Sequence, residues 1–416
     1  MQTEPSQTLP LSDDLRFLVA CCQAEPSQAD IGLIKMFLST QHLALAPEEV
    51  PLGDSTLIGL ANQHGVIPLV YKTLKKLSED NLLNTEHLAL NMLISEMKSV
   101  YMQIARRNML MSAELLRIMK LLEENGIEAL AFKGPALAQQ AYGDITMRQF
   151  GDLDILVNEE KIVAAGDILS AHGYNAEDSV AILQNKTCRR VINDLRFRHE
   201  TNGALIEMHW RLFMEKLGRH LEYVQIGKNS RTVTLSGRDL LTLSPEMLLV
   251  YLCLHGSKHA WERLEWICDI DRLLRAEPNL DWDETLKIAG QMETLTTLGL
   301  GLKLCSALFD TSLPEAVASM TRSDRIAQLA ADTYSLMDTL CKQEGYAKYS
   351  HIHLYQMGLL DTRMKKVKHL LATYFAISRN DCLELPLPTS LSFLYLLLKP
   401  YRVALKLIRT GRKHAH

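Results

Sequence analysis

The chain has 416 residues, more than one small core needs, so two or three packing units are expected. Hydrophobic residues make up 47% and charged residues 23% of the chain, as in an ordinary globular protein. The 45 Lys and Arg nearly balance the 49 Asp and Glu, and the resulting formal charge of -4 excludes the general basic excess typical of proteins with a broad nucleic-acid surface.

The N-terminal part of the chain has a helical pattern. From about Asp13 to Val100, apolar residues recur at intervals of three and four. A long helix is predicted from about Glu96 to Glu124, because Asn125-Gly126 is typical of a left-handed helix end.

The pattern then changes to short strands. Ile127 to Phe132 is predicted as a buried strand, followed by Lys133-Gly134-Pro135. Pro135 suits the first position of a helix, which we expect to continue through Ala136 to Tyr142. A second strand is predicted over Asp152 to Val157.

A helix and a hairpin are predicted next. Asn158 is the expected cap of a helix that reaches His172 and ends at Gly173. Asp194 to His199 and Ala204 to Trp210 are strand-like, and the Asn202-Gly203 pair between them predicts a hairpin.

From about Arg238 onward the pattern is again helical. The fold class predicted is therefore α+β, with a small mixed β-sheet between helical regions. We predict an N-terminal helical region over residues 1–114, a core over 115–235 and a C-terminal helical region over 236–416.

Three acidic residues lie on the predicted strands. Side chains two apart on a strand point the same way, so Asp152 and Asp154 share one face while Leu153 faces the core. On the second hairpin strand, Glu207 and His209 share a face. If these two strands are neighbours in one sheet, the three carboxylates converge.

Such a cluster predicts a metal site. A bare group of three carboxylates is electrostatically costly, and hard divalent cations relieve that cost, so we expect Mg²⁺ or Mn²⁺. Two ions about 3.5–4 Å apart steady the attacking and leaving oxygens of an in-line displacement at phosphorus. In this interpretation Asp152 and Asp154 bridge both ions, and Glu207 binds the ion that activates the acceptor hydroxyl. All three are then metal ligands and catalytic residues.

The D-x-D tripeptide alone is weak evidence, because two acids on a strand's exposed face are common as solvated surface. The combination carries the interpretation. The acids follow a strand-glycine-helix unit and precede a hairpin with a third acid.

The candidate nucleotide-binding residues are Lys133, Gly134, Arg148 and His209. Glycine lets the backbone approach a ligand, a helix N-terminus offers free N–H groups, and Lys133 adds a point charge for the triphosphate. Two interpretations stay open for Arg148: a bidentate phosphate clamp, or a structural pairing with a carboxylate. His209 either orients a metal ligand or a phosphate, or is a satisfied structural histidine.

Two further histidines, His255 and His259, lie four residues apart, a spacing that metal ligands use on a helix. The sequence HGSKH lacks the glutamate of a zinc protease, which argues against zinc. Two interpretations remain: the histidines face the catalytic site, or they pack and hydrogen-bond between helices. Trp266 is predicted as a core residue rather than as a base-stacking platform.

Together these residues resemble the uncharacterised nucleotidyltransferase family of the polymerase-beta-like superfamily. The core of the resemblance is AFKGPALAQQAYGDITMRQFGDLDILV (Ala131 to Val157) and IEMHWRL (Ile206 to Leu212). The flanking segments LANQHGVIPLVY (Leu60 to Tyr71), HGSKHAWERLEWICDIDRLL (His255 to Leu274) and LPLPTSLSFLYLLLKPYR (Leu385 to Arg402) are similar to the family's helical parts.

The resemblance implies a nucleotidyltransferase fold, with the D-x-D pair at Asp152 and Asp154 and the third carboxylate at Glu207. The wider superfamily usually has Gly-Gly or Gly-Ser before the acids, where this chain has Lys133-Gly134-Pro135. Its third acid is more often Asp than Glu.

We therefore predict a metal-dependent nucleotidyltransferase that moves a nucleoside monophosphate from an NTP, with ATP favoured, to an unidentified hydroxyl acceptor. That acceptor is a small molecule, RNA or a protein. The alternative is a catalytically silent nucleotide-binding or interaction module, but such a module has no need of a costly acid cluster. A D-x-D glycosyltransferase would need a larger α/β region before the acids, where this chain has a helical pattern.

The expected location is the cytoplasm. The first residues, MQTEPSQTLPLSDD, lack the basic and apolar regions of a signal peptide. No stretch reaches the roughly 18–20 continuous apolar residues of a membrane span.

Overall fold

The computed structural model describes residues 9–40, 57–83, 88–178, 182–183, 185–213, 217–340, 343, 345–375, 377–385, 387–391 and 393–399. Residues 1–8 and 400–416, at the ends of the predicted flanking regions, lie outside the described residues. The helical pattern predicted up to Val100 includes residues 41–56 and 84–87, which also lie outside them.

The described N-terminal residues are helical, as predicted. The helices are α1 (Asp13–Cys21), α2 (Gln28–Thr40), α3 (Leu57–Gln63), α4 (Ile67–Glu79) and α5 (Leu88–Glu124). The last of these begins before the predicted start at Glu96 and ends at the predicted residue. Gly126 follows it with φ 68°, a conformation that glycine adopts without strain.

A five-stranded mixed sheet forms the centre of the molecule. Its strands are β1 (Ala129–Ala131), β2 (Leu153–Val157), β3 (Tyr174–Ala176), β4 (Asp194–His199) and β5 (Leu205–His209). Their spatial order is β1-β2-β5-β4-β3, with β2 and β5 parallel and every other pair antiparallel. The predicted strands and hairpin are confirmed, and β3 is a strand that the sequence pattern did not predict.

Short helices connect these strands. They are α6 (Gly134–Leu137), which continues as a π-helix over Ala138–Tyr142, then α7 (Ile162–Ala171), α8 (Lys186–Val191) and α9 (Tyr223–Lys228). A 3₁₀ turn precedes α7, and the side chain of Asn158 caps that turn by accepting a hydrogen bond from the Glu160 N–H. The cap at Asn158 is therefore confirmed.

The prediction of helix from Arg238 onward is wrong for its first residues. Strands β6 (Ser230–Leu235) and β7 (Arg238–Leu243) form a separate antiparallel hairpin. Ser236 and Gly237 have φ values of 50° and 79°, as a two-residue type I′ turn requires. The β-branched residues of β6 favour the extended conformation, and the helical pattern resumes at Pro245.

The described C-terminal residues are helical. The helices are α10 (Pro245–Lys258), α11 (Glu265–Ala276), α12 (Trp282–Gln291), α13 (Leu295–Phe309), α14 (Glu315–Thr321), α15 (Asp324–Leu340), α16 (Gly345–Leu359), α17 (Arg363–Phe375) and α18 (Arg379–Glu384). Within the described ranges, no helix combines the length and the apolar character needed to cross a bilayer. The mixed sheet between helical regions confirms the predicted α+β fold class.

Two apolar clusters lie on opposite faces of the sheet. Leu153 and Ile155 of β2 belong to one cluster with side chains of α5 and α7. Leu156 points the other way and belongs to a second cluster with residues of α10. The alternation therefore presents Asp154 on the face that α10 covers. The predicted boundaries after residues 114 and 235 fall inside α5 and the β6–β7 hairpin, and they stay predictions.

Candidate active site

Two carboxylates lie side by side on parallel strands. The register of β2 and β5 pairs Asp154 with Glu207, and paired residues of neighbouring strands point to the same face. His209 follows two residues later on β5 and shares that face. The predicted convergence of the carboxylates requires neighbouring strands. β2 and β5 are neighbours, so Glu207 lies next to the D-x-D motif.

Two positively charged groups contact Asp154, which is only 2% exposed. Lys133 Nζ lies 3.2 Å and His209 Nε2 lies 3.1 Å from the same oxygen, Asp154 Oδ1. Burial alone would raise the pKa of Asp154. The Lys133 ammonium and the hydrogen bond from His209 outweigh that effect and hold the pKa below its ordinary value.

Glu207 is held by two partners as well. Arg196, its cross-strand neighbour on β4, places Nη2 2.6 Å from Glu207 Oε1, and His209 Nε2 lies 3.6 Å from Glu207 Oε2. Burial alone would lower the pKa of His209, but its contacts with Asp154 and Glu207 raise that pKa to about 9. His209 is therefore an imidazolium at neutral pH.

Asp152 directly precedes β2 and borders the same site. Burial, and next the negative charge of Asp154, raise the pKa of Asp152 to about 6. The donor atoms that lie within 4.8 Å of one another belong to Asp154, Glu207 and His209. Asp152 stands beside this group rather than in it.

The donor set fits a divalent cation. Carboxylate oxygens are the ligands that Mg²⁺ and Mn²⁺ prefer, and the His209 nitrogen would join them only after losing its proton. After burial, the negative charge of Asp154 is the next cause of the raised pKa of Asp152, and a bound cation relieves such repulsion.

The seven predicted site residues line one cleft of about 540 Å³, a volume within the usual range for small-molecule sites. The cleft lies between the acid-bearing face of the sheet, the start of α6 and the α10–α11 segment. Its lining includes Lys133, Gly134, Arg148, Asp152, Asp154, Glu207 and His209.

The loop before α6 approaches the backbone of the D-x-D motif. Gly134 has φ 51°, and a Cβ atom at this position would lie 3.2 Å from the carbonyl oxygen of Asp152. A side chain here would therefore be both strained and crowded. Burial alone would lower the pKa of Lys133, but the Asp154 carboxylate raises it above its ordinary value, so the ammonium stays charged.

Arg148 adopts the structural pairing. Its Nε and Nη2 atoms lie 2.9 and 3.0 Å from the two carboxylate oxygens of Asp269 on α11, and both residues are buried. Tyr142 donates a further hydrogen bond of 2.9 Å to Asp269. The phosphate contact proposed for Arg148 stays a prediction.

Several lining residues were not singled out from the sequence. Arg107 on α5 is exposed, and its Nη2 donates to the carbonyl oxygen of Gly151 at 2.9 Å, immediately before Asp152. In the described ranges, no carboxylate pairs with this guanidinium. Arg196, Tyr251 and Arg379 also line the cleft. Nothing in the local sequence distinguishes these positions from ordinary surface or core residues.

The N-terminal segment Leu60 to Tyr71 supports the site from outside the sheet. Gln149 Nε2 donates to Asn62 Oδ1 at 2.9 Å, which holds the loop before Asp152. The carbonyl oxygen of His64 accepts from the Glu265 N–H at 3.1 Å, which holds the start of α11. The turn between α3 and α4 therefore connects two walls of the cleft.

The comparison with protein families is decisive. The sequence profile of the uncharacterised nucleotidyltransferase family matches residues 52–310, more than half of the chain. The chain belongs to this family. The prediction of a nucleotidyltransferase is therefore confirmed, and the matched range contains every predicted site residue of this nucleotidyltransferase. Comparison with curated proteins gives no match.

Two solved structures are similar in part. The antibiotic-resistance factor ANT(2'')-Ia has 12% sequence identity and a TM-score of 0.31, and the match covers 42% of this nucleotidyltransferase and 88% of that chain. An antigenic nucleotidyltransferase-like protein from Paracoccidioides brasiliensis has 14% identity and a TM-score of 0.31, with 50% and 95% covered.

Proposed function

We propose that this nucleotidyltransferase moves a nucleoside monophosphate from an NTP to a hydroxyl acceptor, with divalent cations held by Asp152, Asp154 and Glu207. The observation that carries the proposal is the in-register pairing of Asp154 with Glu207 on the face that lines the cleft. An acid on a solvated surface would be exposed. Asp154 is instead only 2% exposed, although it lies beside a second carboxylate.

Charge prepares these residues to hold a cation. The pKa values of Asp154 and Glu207 lie below their ordinary values, because Lys133, His209 and Arg196 stabilise the carboxylates against the opposing effect of burial. Both acids are therefore ionised at neutral pH. When bound, divalent cations neutralise charge on the transferring phosphoryl group and activate the acceptor hydroxyl.

The cleft also offers groups for the phosphates. Lys133 presents an ammonium beside Asp154, and Gly134 leaves the adjoining backbone open because it has no side chain. Arg107 adds a guanidinium next to Asp152 that no acidic side chain neutralises in the described part of the chain. His209 orients Asp154 by its hydrogen bond. Arg148 acts indirectly, by fixing α11 through Asp269.

The test is a transfer assay on the full chain. Each α-labelled NTP is supplied with Mg²⁺ or Mn²⁺ and a fractionated lysate, so that the labelled species identifies the acceptor. We expect Asp154→Asn to reduce transfer at least about 100-fold, since even the outer partners of metal ligands are worth about 10–100-fold. Asp283→Asn, which changes an exposed acid on α12, is the matched control and should leave transfer unchanged.

Thermal melts of both variants establish that the fold is intact. Transfer that persists in folded Asp154→Asn, or that is lost equally in Asp283→Asn, would remove the acid cluster from the mechanism. A second variant, Asp152→Asn, changes the acid directly before β2. It leaves Asp154, the partner of Lys133 and His209, in place.

A further inference from the structure

Three rings follow one face of α10, the third on His259, the residue that caps the end of this helix. Tyr251, His255 and His259 are spaced four residues apart, which places them in a row along a helix. The ring centroids of Tyr251 and His255 are 5.9 Å apart, and those of His255 and His259 are 4.9 Å apart. Trp266 of α11 closes the group, with its ring centroid 5.3 Å from each histidine. These four residues are called the aromatic face.

The aromatic face continues the cleft from its phosphate side. All four of its residues line the cleft. Lys133 Nζ lies 5.5 Å from the ring centroid of Tyr251 and 3.2 Å from Asp154 Oδ1. The row of rings therefore begins beside the ammonium proposed to contact phosphate.

The two imidazoles are neutral. Burial, and next the charge of Lys258, lower the pKa of His259 to about 3. Burial and Lys133 hold the pKa of His255 well below its ordinary value. A neutral imidazole offers one donor and one acceptor. Among the described residues, no side chain or backbone group hydrogen-bonds to these ring nitrogens, so both functions are available to a ligand.

A strained turn fixes this wall in place. Ala260 and Trp261 have φ values of 52° and 54°, and two successive left-handed residues other than glycine are uncommon. The indole of Trp261 is fully buried and lies over Gly256, where any Cβ atom would collide with its ring. Backbone strain of this kind persists where the surrounding packing over-determines it, and it clusters at ligand sites.

We propose that the aromatic face binds the nucleobase of the nucleoside triphosphate, with the base stacked on its rings and hydrogen-bonded to His255 or His259. The inference rests on the proposed function, because it extends that site from the phosphates to the base. A nucleobase presents a π-face together with donors and acceptors on its edge, and stacking plus neutral imidazoles matches both. A phosphate group would instead call for charged donors, and the Arg263 guanidinium in this part of the cleft is paired with Glu265 at 3.1 Å.

Binding to the full chain tests this assignment. Calorimetry measures the affinity of each of the four NTPs and of inorganic tripolyphosphate, which has phosphates but no base. We expect His259→Ala and His255→Ala to weaken binding of the preferred NTP at least about tenfold, the usual effect of losing a stacking partner. Tripolyphosphate affinity should stay within about twofold of wild type. His172→Ala, at an exposed position at the end of α7, is the matched control.

Two further readouts separate stacking from folding defects. His259→Phe keeps a ring but removes the polar nitrogens, so we expect it to retain affinity and to lose discrimination among the four bases. The NTP should quench tryptophan fluorescence where tripolyphosphate does not, and Trp266→Phe should abolish the quenching.

The outcomes distinguish this inference from the proposed function. NTP affinity that is unchanged in both folded histidine variants would overturn the base assignment and leave nucleotidyl transfer standing. An equal loss of tripolyphosphate affinity would also overturn it, because the defect would then lie in phosphate binding. Wild-type protein that binds none of the four NTPs would contradict the proposed function itself.

Discussion

Asp154 on β2 and Glu207 on β5 are register partners, and the imidazole of His209 contacts both of their carboxylates. The two acids belong to separate segments of the chain, and the parallel pairing of their strands brings them together. The cationic imidazole offsets part of the repulsion between the two ionised acids. The same carboxylates supply the oxygen ligands that a divalent cation prefers.

Lys133 is expected to bind the triphosphate. Lys133→Met removes the ammonium beside Asp154 and keeps most of the side chain's length. We expect NTP affinity to fall about 10- to 150-fold, because a hydrogen bond to a charged group contributes about 1.5–3 kcal/mol. Calorimetry measures the change. Unchanged affinity would show that the loop before α6 does not hold the phosphates.

Arg107 is expected to add a second phosphate contact. Arg107→Ala should weaken NTP affinity severalfold, up to about tenfold, less than for a buried site because this guanidinium is exposed and screened. Arg106→Ala is the matched control, since it removes a neighbouring exposed arginine that does not line the cleft. Equal effects of both substitutions would indicate only a general loss of positive charge.

The buried pair of Arg148 and Asp269 is expected to stabilise the fold. Arg148→Met leaves Asp269 buried without its bidentate partner, and breaking such a pair lowers the free energy of unfolding by about 3–5 kcal/mol. Arg148→Lys should restore little, because an ammonium cannot reproduce the planar fork. Urea denaturation measures both. A variant of wild-type stability that has lost NTP affinity would favour the phosphate clamp instead.

The central strands were predictable from short-range sequence patterns, although both faces of β2 are buried. The alternation at Asp152 to Val157, and the Asn-Gly turn of the β4–β5 hairpin, specify both the strand and the face that carries the acids. Register partners on β2 and β5 follow once the strands are neighbours. This is why the acids could be assigned from the sequence and then found together.

Other strands are indicated only weakly by the sequence pattern. β3 has only three residues, too few to show alternation. The turn at Ser236-Gly237 was a usable signal for the β6–β7 hairpin, but the apolar residues of β7 also fit the helical spacing that follows. A short apolar run does not distinguish the two-residue period of a strand from the 3.6-residue period of a helix.

Contacts between distant segments could not be predicted from local sequence patterns. Asp269, the partner of Arg148, lies 121 residues further along the chain, and its sequence position does not distinguish it from the other acids of the helical regions. Arg107 reaches the cleft only because α5 packs beside the loop before Asp152. The spacing of His255 and His259 was visible, but which surface they line depends on how α10 covers the sheet.

Glu265 gives the stability a dependence on pH. Burial raises its pKa from 4.5 to about 7, despite the Arg263 guanidinium 3.1 Å away. Between these two values the folded protein binds more protons at this site than the unfolded chain. The contribution of Glu265 to the free energy of unfolding therefore falls as the pH rises through that window, by at most about 3 kcal/mol.

The glutamine side chain of Glu265→Gln is neutral at every pH. We therefore expect this variant to lack the fall in the free energy of unfolding. Urea denaturation at pH 5 and at pH 8 compares the variant with wild type, and we expect the variant to gain stability relative to wild type at the higher pH. Glu160→Gln, at an exposed acid, is the control. A difference between Glu265→Gln and wild type that is the same at both pH values would contradict the assigned pKa.

Direct metal binding tests the acid cluster without reference to any substrate. Mn²⁺ is titrated into the full chain and free ion is measured by electron paramagnetic resonance, for wild type, Glu207→Gln, Asp154→Asn and the surface control Asp283→Asn. We predict that wild type and Asp283→Asn bind Mn²⁺ alike, and that each cluster variant binds at least about tenfold more weakly. Wild-type affinity in folded Glu207→Gln and Asp154→Asn would show that these strands do not hold the catalytic metal.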